Sequence, residues 1–175
     1  MENQFEVICD ALIEWVNHPK NGIGRRKEKL KKFQNVWNWI IGLMREFESM
    51  GDNVNEVQKE FLELAKYEGK LHRYHIKYKK DKENYGVRAV TNHVSWTKSE
   101  SPLAFYWAYE GVEYLRLTTY TTENAYAIDL VGLSEFIDRN IYEGFKLGTP
   151  ALLKEQEVIF PLDFSLIDSI DVIKG

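Results

Sequence analysis

An α+β fold is the expectation for this 175-residue chain, because helical and strand-like periodicities occupy different parts of it. Up to about residue 68, apolar residues recur at helical spacing. Beyond residue 70 they fall in short runs rich in Val, Ile, Tyr, Thr and Trp, punctuated by Gly, Asn and Pro. Hydrophobic residues make up 44% of the chain, enough to build a core and too many for a disordered polymer.

The first helix is predicted from Phe5, Ile8, Leu12 and Trp15. Pro19, Gly22 and Gly24 interrupt it. A longer helix is predicted over 25–50, where Phe33, Val36, Trp37, Ile40, Ile41, Met44 and Phe47 form one apolar stripe. Val54, Val57, Phe61, Leu62 and Ala65 predict a third, ending near Gly69. Strands are expected at 71–79, 87–97, 113–121, 125–131 and 157–162. A helix is expected after Ser101, which can cap it, with Pro102 in its first turn. A shorter one is expected over 133–139. Three short helices alone have a modest core, so 1–69 should cap the sheet formed by 70–175.

Several function classes are disfavoured at once. A net charge of −4 gives no general attraction to nucleic acid. Cys9 is the single cysteine, which excludes an internal disulfide and fits a reducing compartment. The start MENQFEVICDALIEW lacks the pattern of a signal peptide, and no apolar run is long enough to span a bilayer, so a soluble, cytoplasmic protein is expected, with no membrane partner. His18, His72, His75 and His93 show no HExxH pattern, and His72 and His75 point to opposite faces of a strand, so no metal site is expected. The loops GxxxxGK[ST] and GxGxxG and the GxSxG elbow are absent. The basic run RRKEKLKK (25–32) is the best candidate for a nucleic-acid surface, with a solvated helix face as the plainer reading.

Three short elements remain: His72-Arg73 at the start of the strand-rich half, Ser95-Trp96-Thr97 at a strand end, and Glu155-Gln156-Glu157 before the apolar run Val158-Ile159-Phe160. Each alone reads as surface charge or turn chemistry. In this order, with Ala104-Phe105-Tyr106-Trp107-Ala108 after the second, they resemble the Arg–Ser–Glu class of mono-ADP-ribosyltransferases, which includes clostridial binary-toxin enzymes, arginine-specific ectoenzymes and bacteriophage enzymes. The resemblance covers roughly 70–175 and implies a mixed, mostly antiparallel β-sandwich core behind the helical cap.

It also implies chemistry. The co-substrate would be NAD and the acceptor a protein side chain, arginine by preference. Cleaving the nicotinamide–ribose bond creates an oxocarbenium-like centre, which a fixed carboxylate stabilises. The resemblance gives that task to Glu157, with Glu155 activating the acceptor. Arg73 would bind the pyrophosphate or adjacent ribose, and His72 would stand beside it. Ser95 would hold Glu157 and Thr97 would brace the site, while Trp96 packs into the core. Phe145, in the segment 144–154 that corresponds to a target-recognition loop, is either an exposed contact or an anchor. Arg73, Ser95 and Glu157 should converge. Arg88 is the alternative arginine. Two other readings stand beside this one. In the His-Tyr-Glu branch, which includes poly-ADP-ribose polymerases and RNA 2′-phosphotransferases, His72 or His75 would contact the adenosine ribose. In the other, the chain is a non-enzymatic α+β binding or inhibitor protein.

Overall fold

The computed structural model describes residues 2–16, 26–76, 93–122, 125–145 and 150–175. Helices α1 (Glu2–Val16), α2 (Arg26–Ser49) and α3 (Glu56–Ala65) come first. Asn55 caps α3 in a reciprocal capping box with Gln58, which satisfies two orphan backbone donors. The chain then enters strands β1 (Lys66–Tyr67), β2 (Gly69–Ile76), β3 (His93–Thr97), β4 (Glu113–Thr121) and β5 (Ala127–Asp129). Helices α4 (Leu130–Asn140) and α5 (Pro150–Glu155) follow, then strands β6 (Glu157–Pro161) and β7 (Ile167–Lys174).

The strands form one seven-stranded sheet of order β1-β5-β6-β3-β2-β4-β7. Every pairing in it is antiparallel, where a mixed sheet was expected. The fold is therefore α+β. Its middle is its weakest seam: β2 runs along β4 from Gly69↔Thr121 to Ile76↔Tyr114, but meets β3 at the single register pair His72↔Thr97.

Two apolar cores lie against this sheet. The larger joins α1, α2 and α3 to α4 and to Ile128 and Ile159, so the helical region shares its core with the sheet. Its stripe is the expected one: Phe33, Trp37, Ile40 and Met44 are all essentially buried. The smaller core holds Leu71, Trp96, Leu117, Val158 and Phe160, with Tyr67 and Ile167 packed at its margins, and none of its described members comes from a helix. Among the described residues, Tyr67 of β1 and Ile167 of β7, from the two edges of the sheet, both pack on this one cluster.

Gly132 allows the closest helix approach. A Cβ there would lie 1.8 Å from the carbonyl oxygen of Leu64, so α3 and α4 cross at a distance only glycine permits.

Three expectations are corrected. After Ser101 the chain makes a 3-10 turn, Pro102–Ala104, and no α-helix follows. Ser101 does cap it, accepting from the Leu103 amide, but Phe105 is already extended. Phe105 stacks on Trp107 at 5.2 Å and packs edge-on to Tyr74, while Trp107 packs on Tyr114. These ring contacts outweigh the weak helix propensity of an aromatic run. The strand expected over 125–131 shortens to β5, because Asp129 accepts from the amides of Val131 and Gly132 and so starts α4 at Leu130. Finally, the segment expected as a loop over 144–154 holds α5 from Pro150, and beyond the last expected strand β7 adds an eight-residue edge to the sheet (Ile167–Lys174), alternately exposed and half-buried.

Candidate active site

The three motifs fall on adjacent strands. Thr97 lies opposite His72 of β2 on one side and opposite Glu157 of β6 on the other. Paired residues in an antiparallel ladder share a face, so His72, Thr97 and Glu157 form a row across the seam. Arg73 follows His72 on the strand and lies opposite Leu117, on the face of the smaller core. Its guanidinium reaches the end of the β2–β3 ladder and donates through Nη1 to the Ser95 carbonyl. Burial pulls the Arg73 pKa down to about 10, and the nearby negative charge of Glu157 opposes that fall. The group stays cationic at neutral pH, partly shielded from water beside a carboxylate.

Glu155-Gln156-Glu157 is a sharp joint between helix and strand. Glu155 ends α5, Gln156 takes the left-handed conformation at φ 48°, and Glu157 begins β6. That conformation favours glycine or asparagine, so a glutamine held there marks a locally strained turn. Two bonds pin the joint to β3: the Thr97 hydroxyl donates to the Glu155 carbonyl, and the Lys98 amide donates to the Gln156 carbonyl at 3.3 Å. Thr97 is fully buried and its oxygen also accepts from the Ser99 amide at 2.9 Å. Glu155 and Glu157 are both half-exposed.

The Glu157 carboxylate accepts a hydrogen bond at Oε1 from the indole Nε1 of Trp15, 2.9 Å away on α1. Ser95, the residue expected to hold Glu157, instead contributes its main-chain carbonyl to Arg73. On the same strand, Trp96 is buried in the smaller core and donates to the Phe160 carbonyl at 3.1 Å, as expected of a packing residue. Phe145 is 6% exposed and belongs to the helical core, so it is an anchor. Arg88, residues 146–149 and His18 lie outside the described residues, as do the side chains of 26–30 in the basic run. Of that run, Lys32 pairs with Glu14 at 3.0 Å on the surface.

His72 is 1% exposed. Its Nδ1 meets the Thr118 hydroxyl at 3.1 Å, and its Nε2 has no protein partner. His75 shares the opposite face, across from Leu115. Burial, reinforced by the positive charges of Arg116 and Lys70, pulls His72 down to about 4 from its ordinary 6.5. Burial likewise lowers His93, which contacts Gln34 of α2 at 2.6 Å through Nδ1, to about 4. Both imidazoles are neutral at pH 7.

These depressed values have a thermodynamic consequence. Between pH 6.5 and 4 the unfolded chain binds protons at these histidines and the folded chain does not. The histidines' contribution to stability therefore falls as pH drops through that window and levels off beneath it. The Glu60 and Glu100 carboxylates, held low chiefly by hydrogen bonds from Asn140 and Lys70, act only below their ordinary 4.5. His72→Gln is expected to flatten the loss between pH 6.5 and 4. Urea midpoints of both proteins at pH 7 and 5 measure it, and an unchanged slope rejects the assignment.

Sequence reasoning did not find Trp15, Gln34 or the ion pair of Lys98 with Asp129, 2.7 Å apart beside the joint. Trp15 was read as the end of an apolar stripe. The available signal was chemical: a packed indole requires an acceptor for its N–H.

Among the described residues, no group of three or more His, Cys, Asp and Glu is placed to hold a metal, and no helix is long and apolar enough to cross a membrane. No family model matches this chain, and no curated protein or solved structure matches it. A half-buried cation, a carboxylate bonded to an indole, and a buried neutral imidazole and threonine thus lie on the strands beside one seam. Such a set can bind an anionic, hydroxyl-rich ligand and stabilise positive charge that develops on it.

Proposed function

We propose that this protein transfers ADP-ribose from NAD to a protein side chain, arginine by preference, with release of nicotinamide. The observation that carries the reading is that half-buried Arg73 lies near enough to Glu157 to feel its charge, on strands that flank Thr97 from its two sides. The set fits the co-substrate on its own chemistry. Arg73 offers a permanent cation to a pyrophosphate or adjacent ribose.

NAD supplies a glycosidic bond to a positively charged leaving group. As that bond breaks, its electron pair neutralises the nicotinamide nitrogen. The acceptor nitrogen donates its lone pair to the ribose carbon and loses one proton. Glu157 offsets the positive charge on the sugar, where a fixed carboxylate acts without reorganisation. Glu155, half-exposed at the end of α5, receives the acceptor's proton.

Incubating the purified protein with NAD tests the reading. Slow nicotinamide release with water as acceptor is expected, together with labelling of lysate proteins by tagged NAD at a side chain that mass spectrometry identifies. No release, no labelling and no thermal shift at millimolar NAD would instead mark a non-enzymatic binding protein.

A further inference from the structure

We propose that Trp15 is a positioning residue for Glu157, so that the first helix completes the site as well as capping the sheet. The proposal rests on the reading in which Glu157 is the carboxylate facing the sugar.

Residues 142 positions apart in sequence meet here, with the indole Nε1 of Trp15 2.9 Å from Oε1 of Glu157. The indole is itself caged. It packs edge-on against Phe33 at 5.0 Å and against Trp37 at 5.3 Å, with interplanar angles of 85° and 88°. Both neighbours are 1% exposed and sit in the helical core. A donor anchored in this way has little freedom, so a bond from it restrains where the carboxylate oxygen sits. Glu157 needs that constraint, because it follows directly on the left-handed Gln156 at the first residue of its strand. The backbone of the joint is pinned by Thr97 and Lys98. The carboxylate is held from the other side, by the helical region. A carboxylate tuned for charge stabilisation loses efficiency when its geometry is loose.

Trp15→Phe tests this, because phenylalanine keeps an aromatic ring in the cage, although a smaller one, and removes the donor. The expected result is a fall of about 10- to 100-fold in kcat for nicotinamide release, the range of one hydrogen bond to a charged group. KM for NAD should change by less than about twofold, since a bond to Glu157 does not hold the pyrophosphate. The acid limb of the kcat profile should move to higher pH, because the ionised carboxylate loses a donor that favoured it. A purely structural role for Trp15 would lower the melting temperature and leave that limb in place. In the NMR spectrum, the indole N–H resonance lost in Trp15→Phe should titrate with a carboxylate in the wild type and cease to do so in Glu157→Gln. An active wild type with unchanged kcat and acid limb in Trp15→Phe overturns the positioning role alone. An inactive wild type overturns the transferase reading, and the catalytic role of Trp15 with it.

Discussion

Glu157→Gln is expected to lower nicotinamide release by about 100- to 1,000-fold, the range for removing a preorganised group that meets charge in the transition state. The substitution is nearly isosteric. The amide oxygen still accepts from Trp15 Nε1, and β6 keeps its register with β3 from His93↔Pro161 to Thr97↔Glu157 through the main chain. What disappears is the negative charge. Folding should change little, since Glu157 is half-exposed, while half-buried Arg73 loses one favourable neighbour. Turnover of NAD and a thermal melt on the same preparation separate the two effects. Unchanged release in a folded variant rejects the assignment of Glu157.

Helices α1 to α4 and most strands were legible because each is a local pattern, whereas α5 fell in a segment read as a loop. Phe33, Val36, Trp37, Ile40, Ile41 and Met44 repeat at helical spacing and are buried as that spacing requires. Elements of mixed character were not. β7 reads Ile167, Asp168, Ser169, Ile170, Asp171, Val172, Ile173, Lys174, and its aspartates and lysine mask the strand signal. An edge strand tolerates this, since only one neighbour pairs with it and charge discourages further pairing. The turn after Ser101 failed in the opposite way. Its cap signals were real, but the rings of Phe105 and Trp107 found tertiary partners in Tyr74 and Tyr114.

The candidate site divides along the same line. His72-Arg73, Ser95-Trp96-Thr97 and Glu155-Gln156-Glu157 were found as short motifs, and the sheet order brings their strands side by side. Who contacts whom was not legible. Ser95 was expected to hold Glu157, yet that bond comes from Trp15, and Ser95 gives its carbonyl to Arg73. The turn at Gln156 was also hidden, because glutamine carries no signal for a left-handed φ. Glu155 and Glu157 looked like alternate residues leading into a strand, but one ends a helix and the other begins β6.

Arg73→Lys is the substitution that decides whether these motifs form one working unit. Lysine keeps the charge, but it is a strongly hydrated point charge without a planar fork. It loses the guanidinium geometry that joins the Ser95 carbonyl to the neighbourhood of Glu157. A loss of about 10- to 100-fold in kcat/KM is expected, the range of a hydrogen bond made by a charged group, with a higher KM for NAD as the larger part. Arg73→Ala should lose more and also lower stability, since it leaves a partly buried carbonyl and a carboxylate without their cation. The double variant Arg73→Lys with Glu157→Gln carries the sharper test. Independent sites multiply their losses, whereas groups acting on one ligand at one seam do not. Losses in the double variant well short of the product are expected, because with the Glu157 charge gone the exact placement of the neighbouring cation matters less. A full product of the two single losses would separate Arg73 from Glu157, and their nearness would then be a feature of the sheet rather than of catalysis.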